Sequence, residues 1–233
     1  MTASSFRVTK TTLRAFATIV ALACLWAPNS GAQSGNVASP PSSAAGDPKN
    51  DALPQVDGPE KGSNEWQVWA GGAYPFSLFP NAPLARIWAA GVTYGRVLTD
   101  AHGPGPFRGR FELAFEIDPV VEVLLPKYPV YGAGFTPVVW KWDFVTRRRL
   151  SPYLELYGGA LFSNHQVVPG TTTFNFMPGA AAGVAFPSGK SGKYSWTADM
   201  RFFHISNAGL TYYNPGLNTI ELRIGFGFFS HAK

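Results

Sequence analysis

The sequence predicts an all-β fold, an eight-stranded antiparallel transmembrane β-barrel of the outer-membrane type. Three observations predict it. Apolar and polar residues alternate with period 2 over many segments, and no long segment holds a period of 3.6. The polar face of these segments carries acids and bases at similar depth, which suits a closed interior of paired charges, while the other face is aromatic and aliphatic, which suits lipid. An apolar run near the N-terminus is too short to cross a bilayer as a helix and is built like an export signal. A soluble sandwich also alternates, but its polar face meets solvent and is usually Lys, Ser and Thr.

Residues 1–32 read as a signal peptide. Lys10 and Arg14 supply the basic region, Ala15 to Ala27 the apolar run, and Ser30-Gly31-Ala32 the small residues before a cleavage point at Gln33. Cys24, the only cysteine, lies inside that run. Cleavage after Ala32 would leave no thiol and no disulfide. A second processing route stays open, because Ala21-Leu22-Ala23-Cys24 loosely resembles a lipobox, with alanine where leucine is usual. Residues 33–64 are rich in Ser, Pro, Gly, Asn and Asp and almost free of large apolar groups, so they read as a disordered linker. The barrel domain is assigned to 65–233.

The strands are expected at about 66–75, 84–98, 107–117, 135–146, 151–163, 174–187, 193–206 and 218–229. Phe111, Leu113, Phe115 and Ile117 oppose Arg110, Glu112 and Glu116. Val138, Trp140, Trp142 and Phe144 oppose Lys141 and Asp143. Leu154 and Leu156 oppose Tyr153, Glu155 and Tyr157. Trp196, Ala198, Met200 and Phe202 oppose Thr197, Asp199 and Arg201. Ile220, Leu222, Ile224, Phe226 and Phe228 oppose Glu221 and Arg223. Closure is required because no strand edge can stay unpaired in hydrocarbon. An even strand count puts both ends in the periplasm, with turns at Thr99–Pro106, Thr146–Leu150 and Pro187–Gly192 on that side. Asp118–Gly134 reads as a long, unusually apolar outer connection, either lying over the outer leaflet and the site or packed as an ordinary loop.

The balance of 19 Lys+Arg against 14 Asp+Glu gives a formal charge of +5. Arg147-Arg148-Arg149 reads as a turn facing anionic lipid or solvent, and no nucleic-acid motif accompanies it. Glu112, Glu116, Glu155, Asp199 and Glu221 could suggest carboxylate catalysis, but ion pairs with Arg110, Lys141, Arg201 and Arg223 across a charged lumen account for them. His102, His165 and His231 have no metal-ligand spacing, and no phosphate or dinucleotide loop is present, so no metal and no cofactor is expected. Trp140, Trp142 and Trp196 read as belt or lipid-face residues.

One constellation carries chemistry. His204 and Ser206 are two apart, so on a strand they share a face. A serine hydroxyl is a poor nucleophile until a base takes its proton, and imidazole is such a base. Counting in steps of two from Phe202 places both on the lipid face, at the outer end of the seventh strand. Counting back from Leu222 places Asn218 there as well, after a tight Asn214-Pro215-Gly216 turn. Three polar residues would thus meet outside the barrel, at the end of an apolar stripe.

Phe203-His204-Ile205-Ser206-Asn207-Ala208, followed by Asn214-Pro215-Gly216, resembles the signature of the lipid A 3-O-deacylase (PagL) family, often labelled acyloxyacyl hydrolase. The resemblance implies an outer-membrane enzyme that removes an ester-linked acyl chain from lipid A of lipopolysaccharide in the outer leaflet. It implies His204 as general base, Ser206 as nucleophile, Asn207 and the Gly209 backbone as oxyanion support, and Asn214 as support for the loop. The family pattern has a glutamate where this chain has Asn218. An amide can accept the imidazole N–H and fix the tautomer, but it cannot stabilise an imidazolium by charge. Glu221 is near in sequence but is expected to face the lumen. A barrel without enzymatic activity and a phospholipid acyl hydrolase are the other readings these residues admit. If the barrel begins near residue 65, protease applied to the membrane-embedded protein should remove the preceding tail and leave a heat-modifiable core on gel electrophoresis. A protein released wholly into the water-soluble fraction would contradict this.

Overall fold

In the computed structural model, residues 59–76, 85–146, 150–168, 170–188, 193–212 and 214–230 are described. The expectations for the signal peptide, most of the linker, and Arg147 to Arg149 lie outside them. The strands are β1 (Asn64–Pro75), β2 (Arg86–Val97), β3 (Gly109–Leu124), β4 (Pro129–Phe144), β5 (Ser151–Ser163), β6 (Phe174–Ser188), β7 (Tyr194–Ile205) and β8 (Leu217–Ser230). Each pairs antiparallel with its sequence neighbour, and β1 also pairs with β8, closing the barrel. The eight-stranded antiparallel fold is as the alternation predicts. The barrel starts slightly early: Gly62 N–H donates to the Val97 carbonyl, and Val97 N–H to the Ser63 carbonyl. The end of the segment read as linker is therefore part of the wall.

The long outer connection at 118–134 is not a loop. β3 runs on to Leu124 and β4 begins at Pro129, leaving residues 125–128 as the turn. The reason is a bulge in β3, which shifts its register against both neighbours. The β2–β3 register shifts between Ala90 and Val92, and the β3–β4 register shifts between Asp118 and Val121. The extra residue in β3 leaves Pro119 and Val120 both facing out, and Val121 and Val123 then turn inward again. A proline cannot donate to the ladder, so it sits well at a bulge. The bulge breaks strict alternation, which is the signal by which the strand would have been read.

The outer wall is apolar. Leu222 and Ile224 are 63% and 65% exposed, and Val68, Trp88, Trp140, Leu156 and Trp196 are also exposed. Exposed apolar surface on this scale belongs in hydrocarbon. Aromatic clusters mark the rim nearer the termini: Trp66 with Tyr94, Tyr94 with Phe115, and Phe226 between Tyr194 and Trp196. Trp142 shares the outward face of Trp140, as expected, and is half-buried there with its ring against His102.

The lumen is filled in three layers. Nearest the termini, Lys141 bridges Glu65, Glu112 and Asp143 at 2.6, 3.4 and 3.5 Å. Gly95 makes room here, since a Cβ at that position would fall 1.8 Å from Glu112 Oε1. In the middle, Arg201 holds Glu116 with both terminal nitrogens, at 2.7 and 3.0 Å. Arg223 reaches the same Glu116 at 2.9 Å and clamps Asp199 through Nε and Nη2 at 2.9 and 3.1 Å. Tyr153 donates to Asp199 at 2.7 Å, and the guanidinium groups stack on Tyr157 and Trp69. Furthest from the termini, Ile87, Val123, Val130, Leu161, Phe203, Ile205 and Leu217 form an apolar plug, completed by Val167 and Val168 from the β5–β6 loop. The five acids expected inside are inside. Arg110 and Glu221 make no ion pair among the described residues, contrary to the pairing expected of them.

Taking one partner from a buried charge pair costs about 3–5 kcal/mol. Glu116→Ala removes the carboxylate that Arg201 and Arg223 share, leaving Arg201 only Glu155 at 3.2 Å, and should lower the denaturation midpoint sharply in a gel-shift unfolding series. Glu221→Gln removes a carboxylate that has no ion pair and should leave the midpoint within experimental scatter. Equal losses for both would refute this account of the lumen.

Candidate active site

The site is built where β7 and β8 leave the barrel, at the rim opposite the termini. In the β7–β8 ladder His204 lies directly across from Asn218, and Ile205 from Leu217. Exposure alternates as a wall strand requires: Phe202 outward, Phe203 inward, His204 half-exposed, Ile205 inward. Two of the sequence-predicted residues, His204 and Asn218, are thereby brought to one patch of outer wall. His204 Nδ1 lies 2.8 Å from Asn218 Oδ1. An amide oxygen can only accept, so the proton is on Nδ1 and the Nε2 lone pair is left free. This is the tautomer a general base needs.

Ser206 continues the strand by one bridge. It exchanges two backbone hydrogen bonds with Phe176 of β6, at 2.7 and 3.1 Å. Its residue is 8% exposed, so it is more sheltered than the lipid-face count implied. Its hydroxyl makes no hydrogen bond among the described residues. Catalytic contacts of this kind often tighten only around substrate.

Asn207 is fully buried and organises the turn that follows. Its Oδ1 accepts from Gly209 N–H at 3.0 Å, its carbonyl accepts from Leu210 N–H at 3.0 Å, and its amide donates to Thr211 Oγ1. Its own N–H donates to Asn214 Oδ1 at 3.2 Å. The Gly209 N–H, expected to face an oxyanion, is thus engaged inside the turn. Asn214 is exposed and supports the loop, as its expected role requires. Between them Ala208 takes a left-handed backbone, φ +52°, followed by Gly209 at φ +82°. A non-glycine residue in that region costs roughly 1–2 kcal/mol, and such outliers gather at functional sites. The Ala208 N–H has no acceptor among the described residues.

Two contributors were not visible in the sequence. Phe76, at the end of β1, donates its N–H to the Asn218 carbonyl at 2.9 Å, and its ring packs on Phe202 with centroids 5.7 Å apart. Barrel closure alone brings it there, so no local pattern could have named it. Thr211 anchors the Asn207 side chain, and nothing distinguishes it in the sequence from other loop threonines. Glu221 faces the lumen, as expected, where it lines a small internal cavity with Asp118, Thr136, Tyr157 and Arg201. Phe203 and Ile205 also line that cavity, on the face of β7 opposite His204. The lumen carboxylates are therefore not part of this site.

The profile of the family described as lipid A 3-O-deacylase (PagL) matches residues 83–227. Among solved structures, the outer-membrane enzyme PagL superposes with a TM-score of 0.55 at 16% identity, over 68% of this chain and 97% of that one. The outer-membrane protein OprG from Pseudomonas aeruginosa gives 0.47 at 10% identity, over 75% and 99%. Curated protein sequences give no match. The matched span holds β2 to β7 whole, most of β8, and every residue of the site except Phe76, and the chain belongs to the lipid A 3-O-deacylase family of bacterial outer-membrane ester hydrolases.

Proposed function

We propose that this barrel hydrolyses an acyl ester of lipid A in the outer leaflet, with His204, Ser206 and Asn218 as its catalytic residues. The observation that carries the assignment is the 2.8 Å contact between His204 Nδ1 and Asn218 Oδ1, on the outer wall of a membrane barrel. With the termini in the periplasm, the rim that bears the site lies at the outer leaflet, level with the glycolipid's ester bonds. The apolar wall below it would carry the acyl chain without desolvation cost.

The steps follow from the tautomer. Ser206 Oγ attacks the ester carbonyl carbon as His204 Nε2 takes its proton. The tetrahedral oxyanion needs donors. Asn207 and Gly209 serve by shaping the turn, and the Ala208 N–H is the backbone donor left unengaged for the oxyanion. Collapse breaks the bond to the sugar oxygen, which leaves with the proton from His204. Water, deprotonated by the same imidazole, then releases the fatty acid and regenerates Ser206. Asn218 orients the ring throughout but adds no negative charge beside the imidazolium.

Refolded variants assayed for fatty acid release from lipid A in detergent micelles test this. Ser206→Ala and His204→Ala should each cost at least about 10³-fold, and the double variant little more, because the two act as one unit. Asn218→Ala should be milder. Asn218→Glu replaces a neutral acceptor with a charged one, worth about 1–1.5 kcal/mol, so kcat should rise roughly tenfold at neutral pH. Full activity of Ser206→Ala would defeat the assignment. Release from phospholipid but not from lipid A would redirect it to a phospholipid acyl hydrolase. An inactive parent chain with an active Asn218→Glu variant would instead mark a barrel that no longer works as an enzyme.

A further inference from the structure

The Asn214-Pro215-Gly216 turn returns the chain to β8 beside the imidazole. Gly216 has a left-handed backbone, φ +62°. A Cβ built on it would stand 2.4 Å from His204 Cε1, 2.7 Å from Nε2 and 3.5 Å from Nδ1. The backbone of Gly216 is therefore packed against the ring, nearest the edge that ends in the basic nitrogen. Register explains why. His204 pairs with Asn218, so two residues back on β8 and two forward on β7 the same ladder would set position 216 against Ser206. A side chain at 216 would occupy the space in which base and nucleophile must meet.

We infer that Gly216 is a positioning residue for His204, a backbone wall that fixes the ring along its Cε1–Nε2 edge and, lacking a side chain, leaves room for Nε2 to act. This rests on His204 acting as the base. The hydrogen bond that His204 donates to Asn218 holds one atom of the ring, Nδ1, and a ring held at one atom can still swing its far edge. A neutral amide holds it less firmly than a carboxylate would. Gly216 supplies the second point of contact, along the Cε1–Nε2 edge. The same turn fixes the other half of the site, because Asn214 accepts from the Asn207 N–H. Three residues, Asn214 to Gly216, thus tie the base to the oxyanion turn. Gly209 offers the contrast: it is also left-handed, φ +82°, yet a Cβ there would meet nothing within 4 Å. Backbone conformation alone asks for glycine at 209, whereas both backbone and ring ask for it at 216.

The test uses Gly216→Ala and Gly216→Asn in the full chain, with folding verified by the heat-dependent gel shift. Asparagine tolerates a left-handed backbone, so its effect reports the contact with the ring. Both variants should lose roughly ten- to a hundredfold in kcat with KM within about twofold, as expected of a base displaced by about 1 Å. Covalent labelling of Ser206 by a small alkyl fluorophosphonate should slow by the same factor, since it needs the base but not the lipid. In the unaltered chain, nuclear Overhauser contact between His204 Hε1 and the Gly216 α-protons should be strong. A folded variant with parental kcat and labelling rate, or absence of that contact, would overturn the inference. A parent chain that resists labelling altogether would instead overturn the serine-hydrolase assignment on which it rests.

Discussion

The buried clamp in which Arg201 and Arg223 hold Glu116, and Arg223 also holds Asp199, is the constraint on which the site depends. Arg201 sits on β7, three residues before His204. Arg223 sits on β8, five residues after Asn218. Asp199 and Arg223 are direct partners in the β7–β8 ladder and also form a bidentate ion pair. That pair fixes the register of two strands whose outer ends carry the proposed catalytic groups. A slip of one residue would turn every side chain to the other face. It would carry His204 into the lumen and leave an unpaired guanidinium against lipid. Glu116 on β3 extends the clamp across the barrel, so the register of β7 and β8 is braced from the far wall.

This arrangement divides the work between the two faces of one strand pair. Inside, charges and aromatic rings fill the lumen. An apolar plug, closed by Val167 and Val168, covers them at the rim where the site lies. Outside, the same strands present Phe202 and Ile220 to lipid and then, one step higher, His204 and Asn218. The wall between is a single layer of backbone. Substrate that is already in the membrane needs no tunnel and no cleft, only a wall that is apolar below and polar at one spot above. The internal cavity is small and lies behind the wall, which fits a barrel whose chemistry is on its surface.

Much of this was legible in the sequence because a barrel writes its two environments in strict alternation. The phase of β7 and β8 was readable from Trp196 to Phe202 and from Ile220 to Phe228, and it placed His204 beside Asn218, as the ladder has them. The fate of Glu221 was readable by the same counting. What was hidden had physical reasons. Pro119 and Val120 face outward in succession at a bulge, so the extension of β3 looked like an apolar loop. The hydrogen bonds that occupy the Gly209 and Asn207 N–H groups depend on how one turn folds back on itself, which no period reports. Phe76 reaches Asn218 only because β1 closes on β8. The ion pairs inside were expected as a class, yet charge counting could not say that Glu116 would serve two arginines while Glu221 served none.

The central claim is that a neutral amide, held in register by a lumen clamp, suffices to orient a working base on the outer wall. The most direct measurement is mass spectrometry of lipid A from otherwise identical bacterial cells that make the parent chain, its Ser206→Ala variant, or neither. The account predicts a lipid A species lighter by one ester-linked acyl chain in the first cells alone. Identical lipid A profiles in all three, with the parent barrel folded in the outer membrane, would contradict it.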